Sequence, residues 1–219
     1  MTVFHWLRRR LVEAPGSLGE RSRQRRWQVL LTHFPNLADM TVIDLGGRVE
    51  AWRSAPVLPR HVVVLNLLEG GENPPEWSTF VQGDACNPPA EICEQRFDLV
   101  FSNSLLEHVG GHARRRQFAE TVHGLSARHW VQTPYRYFPV EPHWLFPGFQ
   151  FLPLLLRAKL SRVWPLQHTR AATSTAALEN ALDVELVGKT EMGYLFPRSH
   201  LVAEKAGPFT KSLVAVKTG

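Results

Sequence analysis

Four short stretches of this 219-residue chain bring together side chains whose types and spacing could do chemistry. The first is Thr41-Val42-Ile43-Asp44-Leu45-Gly46-Gly47, an apolar run that ends in an acid and breaks at once into two glycines. That pattern predicts a buried parallel strand whose carboxyl end opens into a tight turn, with backbone free to approach a ligand. The second is a pair of later strand ends, Asn66-Leu67 and Gly83-Asp84-Ala85. Asp44 and Asp84 read in isolation as turn caps, so only their order and spacing give them weight. The third, Ser102-Asn103-Ser104-Leu105-Leu106-Glu107-His108, leaves another apolar run and ends in an acid beside an imidazole. His108 is a candidate base because imidazole titrates near neutral pH, and a helix-end histidine held by backbone bonds is the alternative. The fourth is Glu141 and His143, two residues apart in a segment crowded with prolines and aromatics. They suit substrate hydroxyls or, with His108, a cation, although the ligand number and spacing for a metal site are missing.

The elements that must position these groups follow from periodicity and punctuation. Strands are expected at 41–45, 61–67, 78–82, 97–102 and 128–132, separated by helices at 20–34, 48–55, 88–94 and 112–125. Strands alternating with helices predict parallel pairing and right-handed crossovers. In open sheets of this kind ligands sit beyond the carboxyl ends of the strands, where strand order reverses. From 133 to 147 the chain carries four prolines and a run of aromatics, a texture that excludes a regular helix or a central strand. So long and chemically rich a connection favours a functional loop. Tyr135 and Tyr137 can stack on a ring of a substrate or cover its pocket, and Trp144 reads as core. Residues 149–164 form a basic amphipathic stretch without an acid. Helical turns at 175–182 and 191–196 and two strands at 200–205 and 212–217, joined by Gly207-Pro208, complete the chain.

Taken in this order, the motifs resemble those of the class I S-adenosylmethionine (SAM)-dependent methyltransferases, in particular the methyltransferase type 11-like group, from about Trp27 to the C-terminus. The resemblance implies one domain over 1–219: a doubly wound, mostly parallel seven-stranded Rossmann-like α/β sheet closed by a C-terminal antiparallel hairpin. It implies SAM as cofactor, with Asp44, Leu45, Gly46 and Gly47 around the amino-acid moiety. Asn66 and Leu67 would stand at the ribose, Asp84 and Ala85 at the adenine, and Ser102 and Asn103 along the fourth strand's edge. His108 with Glu107 becomes the catalytic pair, while Tyr135, Tyr137, Glu141 and His143 become substrate contacts in an insertion over 133–170. No metal is assigned. Two departures stand out. Arg48 and Glu50 occupy positions where the family carries further glycines, and Asn66 stands where it has an acid. They leave open a catalytically silent SAM-binding or membrane-associated accessory protein.

Composition narrows the remaining classes. A hydrophobic fraction of 44% with 21% charged residues is that of an ordinary folded domain. No apolar run reaches the length of a membrane span, and the start lacks a secretory layout, so the chain is expected to be cytoplasmic. Cys86 and Cys93 read as two reduced thiols. Residues 1–26 read as a basic N-terminal extension, and residues 1–28 hold seven arginines against two glutamates and so account for the whole net charge of +5. That suits anionic lipid, an anionic substrate or a solvated helix face. Nucleic acid as the methyl acceptor is disfavoured, because Ser102-Asn103-Ser104-Leu105 replaces the Asn/Asp-Pro-Pro-aromatic motif of base-amino methylation. A small-molecule or lipid-linked hydroxyl is the expected acceptor, with peripheral contact to an anionic membrane at 3–12 and 149–164.

Overall fold

The computed structural model describes residues 14, 16–70, 73–167 and 171–219, so the amphipathic stretch expected over 3–12 and the arginine triplet lie outside the described residues. Five strands pair in parallel: β1 (Thr41–Leu45), β2 (His61–Asn66), β3 (Ser78–Gln82), β4 (Leu99–Asn103) and β5 (His129–Pro134). A two-residue ladder, β6 (Val140–Glu141) with β7 (Phe146–Pro147), forms a separate small hairpin. The last two strands, β8 (His200–Ala206) and β9 (Phe209–Lys217), close the main sheet: β9 runs antiparallel to both β5 and β8. The sheet order is β3-β2-β1-β4-β5-β9-β8, so strand order reverses between β1 and β4. This is the expected doubly wound sheet with its C-terminal hairpin.

Helices α1 (Leu18–His33), α2 (Val49–Trp52), α3 (Ala90–Cys93) and α4 (His112–Leu125) come before β6, and α5 (Leu154–Val163), α6 (Ser174–Leu182) and α7 (Lys189–Leu195) after β7. The first begins two residues before its expected start. Ser17 accepts a hydrogen bond from the Glu20 backbone N–H at 3.1 Å, and the Glu20 carboxylate reaches back to the Gly16 N–H, a reciprocal cap that fixes the first turn. β5 also runs past its expected end, through Thr133 and Pro134. Proline is tolerated there because it stands at the last rung, where the ladder makes no further demand on its missing N–H.

Strand parity decides which side chains meet which layer. Val42 on β1, Val62 and Val64 on β2, Leu99 and Phe101 on β4, and Trp130 on β5 pack beneath Leu30 of α1 and Phe34, the residue that caps it. Ile43, Leu45, Val63, Leu65 and Val100 face the opposite layer, against Phe118, Val122 and Leu125 of α4 and Met192 and Leu195 of α7. Because side chains alternate along a strand, Asp44, Asn66 and Asn103 all fall on the α1 side. Three polar groups are thereby delivered to one face of the sheet, at the carboxyl ends of three adjacent strands.

α1 is pinned there by Arg26. Its guanidinium makes a two-pronged ion pair with Glu204 on β8, Nε to Oε1 at 2.7 Å and Nη2 to Oε2 at 2.8 Å, and donates from Nη1 to Asn103 Oδ1 at 2.6 Å. The pair is largely withdrawn from solvent, with side-chain exposures of 13% and 15%. Burial by itself would raise the Glu204 pKa, but the hydrogen bond and charge of Arg26 outweigh it and hold the carboxyl below its ordinary value. A depressed carboxyl contributes stability above its unfolded pKa and loses it as pH falls through the folded one. Arg26→Ala is therefore expected to cost roughly 3 kcal/mol at pH 7, the cost of stranding one member of a buried pair. Urea denaturation should show the gap closing as pH falls below the ordinary carboxylate range. A gap that stays constant with pH would assign the loss to helix packing alone.

Candidate functional site

Two cavities flank the turn that follows β1. One, of about 370 Å³, is lined by Arg26, Trp27, Asp44, Gly46, Trp52 and Asn103 among others. The second, of about 300 Å³, lies on the β2 side and is lined by Gly47, Arg48, Asn66, Leu68, Asn73 and Phe80 among others. Gly46 has φ +78°, and a Cβ on it would come within 2.6 Å of the Leu105 side chain. A Cβ on Gly47 would lie 1.7 Å from Asp44 Oδ2. Both positions therefore demand glycine, because Leu105 and the Asp44 carboxyl already occupy the space a side chain would fill.

Asp44 itself is 2% exposed. Its Oδ2 accepts a hydrogen bond from Trp52 Nε1 at 2.8 Å, while Oδ1 is buried without a hydrogen-bond partner among the described residues. Trp52, Trp27 and Phe101 form an aromatic wall, with ring centroids 5.0 to 5.8 Å apart. Burial in that wall raises the Asp44 pKa to about 7, against the smaller opposing effect of the Trp52 hydrogen bond. A carboxylate here is costly until a cation or donor reaches Oδ1.

The other strand-end residues have more occupied side chains than their sequence positions suggest. Asn66 donates from Nδ2 to the carbonyls of Gly46 and Gly47, at 3.1 and 2.8 Å, and accepts from the Leu68 N–H at 3.0 Å. It braces the glycine turn and keeps one Oδ1 lone pair for anything else. Leu67 is 65% exposed beside it. Asp84 accepts from the Cys86 N–H at 2.9 Å and from Arg114 Nη2 at 2.6 Å. Burial would raise its pKa, but these partners outweigh it and keep the carboxyl below the usual range. Ala85 is buried in the α4-side core. Ser102 is wholly buried and donates to the Leu45 carbonyl at 2.9 Å, which ties β4 to the end of β1, so it is placed within the sheet. Asn103 reaches the cavity and holds Arg26.

The second half of the site grows out of β4. Ser104 adopts φ +58°, which turns the chain, and Leu105 then lies against Gly46. A tight turn closed by His108 N–H to the Leu105 carbonyl, at 2.7 Å, presents Glu107 and His108 together. The hairpin of β6 and β7 brings Glu141 and His143 to the same place. His108 Nε2 and His143 Nε2 are 3.1 Å apart, and His143 Nδ1 meets Glu141 Oε1 at 2.7 Å. The second Glu141 oxygen accepts the N–H groups of His143 and Trp144. Glu107 is fully buried: Oε2 accepts from Thr133 Oγ1 at 2.9 Å, and Oε1 lies 4.0 Å from His108 Nε2. Burial pushes the Glu107 pKa up to about 7. His108 is lowered, by burial first and by its histidine neighbour second. A cavity of about 400 Å³, lined by His108, His143, Trp144, Gln167, Asn180 and Asp183, opens onto the pair.

Four sequence-predicted residues, Glu107, His108, Glu141 and His143, thus converge from two segments. Tyr135 and Tyr137 do not join them. Their rings pack on each other at 5.5 Å, Tyr137 stacks on Phe151 at 5.9 Å, and Lys189 sits over Tyr135. Sequence reasoning missed Trp52, Arg26, Arg114 and Gln167. Arg26 was hidden in a run of arginines whose helical face reads as solvated, and the others have no spacing that marks them.

The steric demand at Gly47 has a direct test. Gly47→Ala should lower the urea-unfolding stability by about 1–3 kcal/mol, the range for overpacking a closed site. Gly124→Ala, on α4 with open space around its Cβ position, should leave stability unchanged or raise it by up to about 1 kcal/mol. Equal responses at the two glycines would refute a closed seat at Gly47.

No protein-family model matches the chain, and no curated protein matches it by sequence. Solved structures do. The N-methyltransferase NodS from Bradyrhizobium japonicum superposes with a TM-score of 0.52 at 10% identity, covering 90% of this chain and 96% of that one. Magnesium protoporphyrin IX methyltransferase from Synechocystis, solved with bound S-adenosylhomocysteine (SAH), gives 0.53 at 13% identity, with 98% and 94% covered. A Listeria monocytogenes protein described as a putative SAM-dependent methyltransferase gives 0.55 at 12%, with 90% and 99% covered. The chain therefore has the fold of the class I SAM-dependent methyltransferases.

Proposed function

We propose that this chain is a SAM-dependent methyltransferase acting on a small molecule, with a hydroxyl oxygen of a sugar, a lipid-linked glycan or another secondary metabolite as acceptor. The observation that carries the reading is Asp44 Oδ1, a buried carboxyl oxygen without a hydrogen-bond partner among the described residues, beside a glycine turn that lines the 370 Å³ cavity. An ammonium group is the natural partner for that oxygen. The similar structures solved with SAH support the cofactor, and the residues present fit it. Asp44 and the backbone of Leu45, Gly46 and Gly47 would hold the amino-acid moiety, and Trp52, Phe101 and Asn103 would wall it. The free lone pair of Asn66 would take a ribose hydroxyl, and the Asp84–Ala85 turn would lie toward the adenine.

Bound SAM supplies an activated methyl group, so the protein's task is alignment, exclusion of water and disposal of the acceptor's proton. Leu105 spans from the Gly46 turn to the His108 turn and so fixes the distance between cofactor seat and histidines. The His108–His143 pair, backed by Glu107 and Glu141, stands where an acceptor hydroxyl entering the 400 Å³ cavity can lose its proton. The segment 133–167, through His143, Trp144 and Gln167 in the cavity lining, would act as the cover that selects the acceptor, while Tyr135 and Tyr137 lie outside that lining.

A second reading, a SAM-binding protein without turnover or an accessory protein, is favoured by the occupied side chains of Asn66 and Asp84 and by Arg48 and Glu50 in the turn. Calorimetric titration with SAM and SAH separates the two. Micromolar binding, weakened at least tenfold in Asp44→Ala, is expected. The affinity should rise with pH up to about 7 and level off above, because the Asp44 carboxyl must give up its proton to receive an ammonium group. No binding to the folded protein would refute the cofactor. Binding without turnover on any hydroxylated acceptor would favour the accessory reading.

The lipid-linked form of the acceptor draws support from α5 and its approach. Phe151, Leu155, Leu156 and Val163 are exposed, with Lys159 and Arg162 exposed among them. Among the described residues no helix is long and apolar enough to cross a membrane, so contact would be peripheral. Flotation with anionic vesicles is expected to recover the protein, and Leu155→Glu should abolish recovery. Equal recovery with neutral vesicles would remove the electrostatic part of this reading.

A further inference from the structure

We propose that Glu107, His108 and His143 form a binding site for one divalent transition-metal cation of the zinc class. The sequence gives no metal spacing, since two ligands are adjacent and the third lies 35 residues on; the fold creates the site. One donor atom from each residue lies within 4.8 Å of the other two. Around an ion with metal–ligand distances of 2.0–2.2 Å, tetrahedral ligands are separated by roughly 3.3 Å. The two imidazole nitrogens are already at 3.1 Å, and Glu107 Oε1 at 4.0 Å from His108 Nε2 needs only a small approach.

Two independent observations point to a cation. Glu107 Oε1 is buried and makes no hydrogen bond among the described residues, although its twin oxygen is held by Thr133. An unpaired buried carboxylate oxygen is costly, and an ion between it and the imidazoles removes that cost. The outer contact of His143 is also that of a ligating histidine. The Glu141 carboxylate accepts the Nδ1 proton of His143, which leaves Nε2 with its lone pair toward the site.

Two imidazoles and one carboxylate with further positions open is a donor set suited to zinc or another first-row ion rather than magnesium. The open side is the 400 Å³ cavity, where the side-chain amide of Gln167, 7% exposed, has neither its oxygen nor its nitrogen paired among the described residues. An ion here would offer its remaining positions to the oxygen of a hydroxylated ligand. The imidazoles would then serve as ligands, and their use as proton acceptors would belong to the metal-free protein. The inference rests on the cluster alone and stands whether or not SAM binds.

The test uses the full chain, freed of metal by chelator and titrated with zinc chloride by calorimetry, with cobalt(II) as a spectroscopic probe. One equivalent should bind with micromolar or tighter affinity, cobalt should give the intense visible bands of a four-coordinate site, and magnesium should not compete. His108→Ala and His143→Ala should each weaken zinc by at least about 100-fold, and Glu141→Gln by about 10–100-fold through loss of the outer contact. His112→Ala, outside the cluster, should change nothing. Circular dichroism confirms that each variant folds; Glu107→Gln, at a buried position, is read only if it does. Absence of zinc binding to the folded wild type, or one-equivalent binding that survives both histidine substitutions, would overturn the site. SAM titrated in parallel keeps the questions apart: zinc without SAM sinks the methyl-transfer reading alone, and SAM without zinc sinks the metal site alone.

Discussion

A carboxyl group buried without a countercharge is the constraint around which the cleft is arranged. Asp44 cannot move away, because strand parity fixes it on the α1 side and Trp52 holds one oxygen. It cannot be covered by its own chain either, because any side chain at residue 47 would collide with it. The sheet therefore carries an unfavourable group at the point where strand order reverses, buried among Trp27, Trp52 and Phe101 in the lining of the larger of the two cavities that flank the turn. Strain of this sort persists only where the surrounding structure over-determines it, as the two sheet layers and the pinned helix do here.

The histidine cluster repeats this logic on a second stage. Glu107 is likewise buried, with one oxygen satisfied and the other bare among the described residues, in the turn that follows the neighbouring strand β4. Two acids with incomplete partners, one on β1 and one beyond the end of β4, stand on either side of one residue. Leu105 lies between them, in contact with the glycine turn at one end and in the same tight turn as His108 at the other. In the proposed reading this arrangement would bring cofactor and acceptor together, and proximity of that kind is what separates a reaction centre from two unrelated pockets.

Much of this was legible in the sequence. The apolar runs at 41–45, 61–67 and 97–102 placed β1, β2 and β4 to within two residues of their ends, and period-two alternation along them decides which face each polar group takes. The strands β8 and β9 and the long helix α4 followed from the same patterning, while the pairing of those two strands as a closing hairpin came from the family resemblance. Less visible was the use to which side chains are put. Nothing local says that Arg26 will cross 178 positions to Glu204, or that Arg114 will occupy Asp84. The pairing of His108 with His143 depends on how a proline-rich segment folds back, and 133–147, read as irregular, contains a small hairpin that aims Glu141 and His143. Tertiary contacts of this length leave no period and no spacing to read.

The glycine turn and Asn66 depart from the family pattern at separate places in the sequence, yet in the structure they are one departure. Both amide hydrogens of Asn66 are spent on the carbonyls of Gly46 and Gly47. An aspartate there would set carboxylate oxygens against those two carbonyls, while an altered turn would strand the amide's donors. Each change makes the other tolerable, so the two positions are expected to vary as a linked pair, and a lineage restoring one of them alone would pass through a less stable protein.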